Sequence, residues 1–151
     1  MRATVRTLLC LIAILLALPA RIAGADAVYP SQHIPLHPVG AAPLTTGFVE
    51  NIHANGPNVY AHEVYVVVGA SPMTYDVTIA VYVQDPACST TPLQIVTATL
   101  TTNAEGSGRA DVFFSPEDAN GLRGASHGAI WSLSVSGAPL YETDCSTIVL
   151  D

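Results

Sequence analysis

Between residues 47 and 151, apolar positions recur in twos. Val77, Ile79, Val81 and Val83 alternate with smaller or polar residues, and so do Ala129, Trp131, Leu133 and Val135. Alternation places every second side chain on one face of an extended strand, so one face can be buried while the other stays wet. Short runs rich in Val, Thr, Tyr and Ile, broken by Gly, Pro, Asn and Asp, continue the pattern. It predicts strands over 47–53, 59–68, 75–84, 93–101, 109–114, 128–135 and 140–150. The last of these would bring Asp151 to a strand end. The one helical signal in this region is Ser115-Pro116-Glu117-Asp118-Ala119-Asn120-Gly121. There Ser115 can cap, Pro116 suits the first helical position and Gly121 can end about one turn. Short strands with frequent turn signals predict an all-β fold, a single β-sandwich of about seven strands. A closed barrel is the alternative.

The first residues follow a different pattern. Arg2 and Arg6 precede an almost wholly apolar run, Leu8 to Leu18, which Pro19 breaks before Ala23-Gly24-Ala25. A positive start, a short apolar run and small residues predict a signal peptide over 1–25, cleaved after Ala25. The run is about half the ~20 residues that a membrane-spanning helix needs. A secreted or extracytoplasmic chain, not inserted in a membrane after cleavage, is therefore expected. Residues 26–46 carry Pro30, Pro35, Pro38 and Pro43 with neither period, and read as an extended, poorly ordered lead-in. The sandwich domain would then occupy 47–151.

Charge narrows the partners. The chain has no Lys, and after residue 25 only Arg109 and Arg123 stand against all twelve Asp and Glu, a balance of −10. Such a surface repels phosphate backbones, which argues against nucleic acid as a partner. Two cysteines follow the signal, Cys88 and Cys145. An even pair in an exported chain predicts a disulfide. There is no C-x-x-C and no basic neighbour to activate either thiol.

The stretches TATLTTNAEGSGRADVFFSPEDANGL, HGAIWSLS and YETDCSTIVLD resemble small exported bacterial proteins with an immunoglobulin-like β-sandwich. The resemblance covers roughly residues 47 to 151 and implies a fold and a compartment, but no activity. Two hallmarks of true immunoglobulin domains are missing. Trp131 lies only fourteen residues before Cys145 instead of following the first cysteine closely, and Tyr141 precedes Cys145 by four residues instead of two. Cys88, in a turn, would thus pin a loop to the last strand.

Candidate chemistry centres on histidine. His33 and His37 are separated by Pro35, and in an extended chain their spacing is about 12 Å, too far for one ion. His53 and His62 flank Asn55-Gly56-Pro57-Asn58. A hairpin centred on that turn would oppose them at roughly 5 Å between Cβ atoms, close enough to share a metal. Zinc usually takes three or four protein ligands, so His127 or Glu63 would have to contribute, although His62 and Glu63, as neighbours on a strand, point to opposite faces. A slip of one residue would put them on opposite faces. No G-x-S-x-G, H-E-x-x-H, phosphate-binding loop or EF-hand loop occurs. Tyr60, Tyr65, Tyr75 and Tyr82 read as strand residues with one wet edge. The sequence therefore predicts a secreted, non-catalytic binding or structural module with no cofactor and an unidentified extracellular or cell-surface ligand. The alternative is an exported metal-binding protein or metalloenzyme using His53 and His62.

Overall fold

The computed structural model describes residues 31–53, 61–115, 117–118 and 120–149. The expected signal peptide and its cleavage site, Tyr60 and Asp151 lie outside the described residues. Among the described residues there are nine strands: β1 (Ser31–Pro38), β2 (Thr46–His53), β3 (Ala61–Val68), β4 (Thr74–Tyr82), β5 (Leu93–Thr101), β6 (Gly108–Phe114), β7 (Ser126–Val135), β8 (Ala138–Thr143) and β9 (Ser146–Val149). Alternating burial along β3, β4 and β7 matches the alternating sequence, and the all-β expectation holds. Pairing is antiparallel throughout, in the order β5-β4-β7-β8-β1-β2-β3-β6, with β9 beside β7. The strands thus form one sheet, nearly closed into a barrel, instead of two separate layers. Its ends are β5 and β6, which follow each other in the chain through the turn Asn103–Ser107 but share no ladder.

Two departures from the expected strands shape the interior. The segment read as a poorly ordered lead-in contains β1. Its inward residues Ile34 and Leu36 are buried in the core, while Pro35 and His37 face outward. Ser31 to Pro35 pair with β2 and Leu36 to Pro38 with β8, so this one strand joins the two walls. Its prolines disguise it: each removes a backbone donor, which suits a strand that changes partners midway. The predicted final strand, in turn, breaks at Asp144-Cys145. β8 pairs with Ser132–Val135 of β7 and β9 with Ser126–Ala129 of the same strand. Cys145 therefore sits in the break between two strands.

The Cys88–Cys145 disulfide is present, with Cα atoms 6.1 Å apart. It ties the loop after β4 to the β8–β9 break. Asp85 organises that loop, its carboxylate accepting from the backbone of Ala87, Ser89 and Thr90 and from the Ser89 hydroxyl. Gly128 lets the loop lie flat on β7, since a Cβ there would meet Asp85 O and Cys88 Sγ at 2.5 Å. Buried His127 fixes the same region. Its Nδ1 accepts from Gln84 N–H at 3.0 Å and its Nε2 faces Leu122 O at 2.7 Å, which makes it a neutral ring protonated at Nε2. In place of the expected helical turn, three reciprocal bonds link Ser115 and Asp118, followed by a 3₁₀ helix, Asn120–Leu122.

The end of the barrel that carries the β5–β6 turn, called lower here, is solid. Val49, Val67, Leu100, Leu133, Tyr75 and Tyr141 are all fully buried there. The two tyrosine rings meet edge to face at 5.6 Å. Tyr75 Oη donates to Ser71 O, and Tyr141 Oη donates to Pro43 O and accepts from Ser71 N–H. Gly106 closes this end with φ +75°, where a Cβ would lie 2.0 Å from Ala70 O.

Candidate functional site

Alternation sends Glu63 and Tyr65 of β3 to the same inner face. The register then lines up an inward row across four strands: Gln32 opposite Asn51, Asn51 opposite Glu63, Glu63 opposite Val112. Asn51 Nδ2 donates to Gln32 Oε1, and Gln32 Nε2 donates to Thr147 O of β9. From the other wall, Trp131 of β7 points inward opposite Ile79.

These walls meet at a carboxyl. Trp131 Nε1 donates to Glu63 Oε1 at 2.6 Å, and Tyr65 Oη bonds Glu63 Oε2 at 2.7 Å. Glu63 is 2% exposed, and both groups that bond it are neutral. Burial pushes its pKa up to about 7, against the opposing pull of the Trp131 and Tyr65 hydrogen bonds. Burial also drives the Tyr65 phenol well up, helped by the Glu63 charge.

Above this carboxyl the barrel is hollow. A cavity of about 330 Å³ is bounded by Glu63, Asn51 and Trp131, with an apolar lining from Ile79, Val81, Val112 and Ile148. It reaches the surface between β5 and β6, where Ile95 and Thr97 of one strand face Phe113 and Phe114 of the other. Asp118 and Leu122 complete the rim. The opening follows from the missing ladder between β5 and β6 at this end of the seam. A bulge contributes: β4 pairs Val77 with Ala98 and Thr78 with Val96, leaving Thr97 unpaired in register. Thr97 Oγ1 instead donates to Val77 O. Outside the mouth, Val96 and Phe113 are each 67% exposed, an apolar lip around the opening.

The predicted histidines lie elsewhere. The register pairs His53 with Ala61 and His62 with Ile52, so positions 53 and 62 are one residue out of opposition and belong to alternate faces. His62 stacks on Phe113 with ring centroids 4.0 Å apart, and its Nε2 lies 3.1 Å from Asp111 Oδ1. Asp111 also takes two bonds from Arg109, whose guanidinium, ahead of the lesser contribution from His62, holds its carboxyl at about 2. His33 opposes Glu50 at 2.9 Å, and Ser31 bonds the same carboxylate, which lies below the usual range mainly through Ser31 and then His33. Among the described residues, no three His, Cys, Asp or Glu side chains are grouped as a metal would require. Tyr65 and Tyr75 are wholly buried, without the wet edge expected of them.

In the sequence, Glu63 stands out only as the neighbour of His62. Its actual partners, Tyr65 two residues on and Trp131 in β7, needed the closure of the sheet to be found. The available signal was a lone Glu at an inward position of an otherwise apolar strand. No protein-family model matches the sequence, and no curated protein or solved structure matches it either.

Proposed function

We propose that this protein is an exported, non-catalytic binding module that takes a small, mostly apolar molecule into the upper end of its barrel. The observation that carries the reading is the cavity of about 330 Å³, open between β5 and β6 and apolar except for a few polar groups. Size, concavity and sparse polarity are those of small-molecule sites, and the mouths of β-barrels are a common place for them. Packed interiors rarely contain voids much larger than a water molecule, so a hollow of this size stands apart from ordinary core packing. The deep polar group is one carboxyl already engaged by two donors, which suits orientation of a ligand better than turnover.

Export is part of the proposal. Its support is the amino-terminal pattern of Arg2, Arg6 and Leu8 to Leu18, together with the Cys88–Cys145 bond. The kinship with exported immunoglobulin-like proteins belongs here too. It is supported by the division of the sheet into a β6-β3-β2-β1 wall and a β5-β4-β7-β8 wall, linked by the three β1–β8 pairs.

The test uses the only tryptophan of the chain, which lines the cavity. Titration with 1-octanol should change Trp131 emission saturably in the wild type. In Thr97→Phe, whose ring would occupy the mouth, the change should vanish while the far-ultraviolet dichroism stays native. A linear, non-saturating response identical in both proteins would reject the proposal.

A further inference from the structure

The polar groups around the cavity are not balanced between donors and acceptors. Trp131 Nε1–H and Tyr65 Oη–H are directed at Glu63. Thr97 Oγ1–H is directed at Val77 O. Asn51 uses Nδ2 on Gln32. What faces an incoming molecule is chiefly acceptor oxygen: the Glu63 carboxyl at the floor and the Asp118 carboxylate at the rim. An ionised carboxylate has about four lone-pair positions, and two neutral donors leave Glu63 with capacity to spare. From the whole chain, the excess of acidic over basic residues gives a field that attracts cations.

We infer that the ligand is an organic cation: an apolar body carrying a primary or secondary ammonium group, which meets Glu63 at the floor of the cavity and passes Asp118 at its mouth. This deepens the binding reading above and rests on it. The ammonium supplies what the site lacks, since a cation beside a buried carboxylate offsets the cost of removing that charge from water. The need for an acceptor at Oε1 is fixed, because indole N–H can only donate. Tyr65 Oη can either donate or accept, so the pair can hold the carboxyl in both protonation states. Holding Trp131 and Tyr65 together does not itself require a charge: a Gln at position 63 would accept from Trp131 and donate to Tyr65. Simple cross-linking of the two walls therefore leaves the ionisable group unexplained, whereas recognition of a cation uses it.

A head-group series separates the ligand class from the cavity reading. The purified chain is titrated at pH 8.5 with 1-aminooctane, 1-octanol and octanoate, which share one tail, with Trp131 emission as the signal. At that pH Glu63, at about 7, is ionised, and an alkylamine, close to the ~10.4 of a lysine side chain, is protonated. The amine should bind at least tenfold tighter than the alcohol, and octanoate weakest of the three. In Glu63→Gln the advantage of the amine over the alcohol should be lost. Should that variant fail to fold, the wild type at pH 5.5 serves instead. There Glu63 is protonated, Asp118, held low by the Ser115 bonds, stays ionised, and Tyr65 stays neutral. The amine preference should then fall toward that of the alcohol. Saturable binding of all three without preference, or with octanoate favoured, would overturn the cation while leaving the cavity intact. No saturable binding by any of them would overturn both.

Discussion

The two ends of the barrel bury polar groups in opposite ways. At the lower end, Tyr75 and Tyr141 lie inside the core, but their hydroxyls end on backbone groups of Ser71 and Pro43, and their rings fill the space between the walls. At the upper end, Trp131 and Tyr65 end on a side-chain carboxyl that borders the cavity. Backbone partners are neutral and immobile, so the lower arrangement has no protonation state to manage. The upper one buries an ionisable group against two neutral donors, a costly choice in a low-dielectric interior. Stability explains the lower end by itself. It does not explain the upper one, and that asymmetry is the reason to place function there.

The comparison can be broken at its strongest point first. Leu133 is fully buried at the lower end, and Leu133→Ala should cost about 2–5 kcal/mol in chemical denaturation, leaving a void that closely packed neighbours cannot close. A cost below about 1 kcal/mol would mean that the lower end is as loose as the upper. Replacing both Cys88 and Cys145 by Ser should cost about 2–4 kcal/mol, because the bond closes a separation of 57 residues. The loss should appear equally under all solvent conditions that leave the bond oxidised in the parent.

Glu63 gives the third effect, and its sign is set by the direction of the shift. The folded pKa, about 7, lies above the ordinary 4.5. Below pH 4.5 both states are protonated and the group costs nothing. Between pH 4.5 and 7 the unfolded chain ionises while the folded one resists, so stability falls as pH rises. Above 7 the cost is constant, roughly 3 kcal/mol from the size of the shift. Glu63→Gln should recover most of that at pH 8 and nothing at pH 4. Asp111 works the other way: held at about 2 mainly by Arg109, its contribution is present above the ordinary 3.8 and is lost as pH falls through 2. The wild type should therefore be most stable between about pH 4 and 5, as thermal melts across pH would reveal. The smallest effect is expected at the mouth. Ile95 is 37% exposed, and Ile95→Ala should cost under about 1.5 kcal/mol, well short of Leu133→Ala.

How much of this was legible in the sequence differs along the chain. Six of the seven expected strands lie within about two residues of those observed, because a period of two is written directly in which residues are apolar. β1 was missed because Pro30, Pro35 and Pro38 read as linker, although Ile34 and Leu36 alternate correctly for an inner face. The break before Cys145 carries no strong turn signal: Asp144 is the sole cue. The register of His53 and His62 turned on the bounds of the β2–β3 connection, and one residue decides which face each occupies. The site was least legible. Glu63 and Trp131 are 68 residues apart, and only the curling of the sheet brings them to 2.6 Å. The cavity is a property of the unpaired β5–β6 seam, which no local pattern encodes.

The central claim, that the upper end is an accessible apolar chamber while the lower end is solid, meets its most direct test in the fluorescence of the neutral apolar dye 1-N-phenylnaphthylamine. Three proteins are compared: the wild type, Thr97→Phe at the upper mouth and Ala98→Phe toward the lower end. The dye should brighten and saturate with the wild type and with Ala98→Phe, and stay dark with Thr97→Phe. Equal brightening with all three, or none with the folded wild type, would contradict the account.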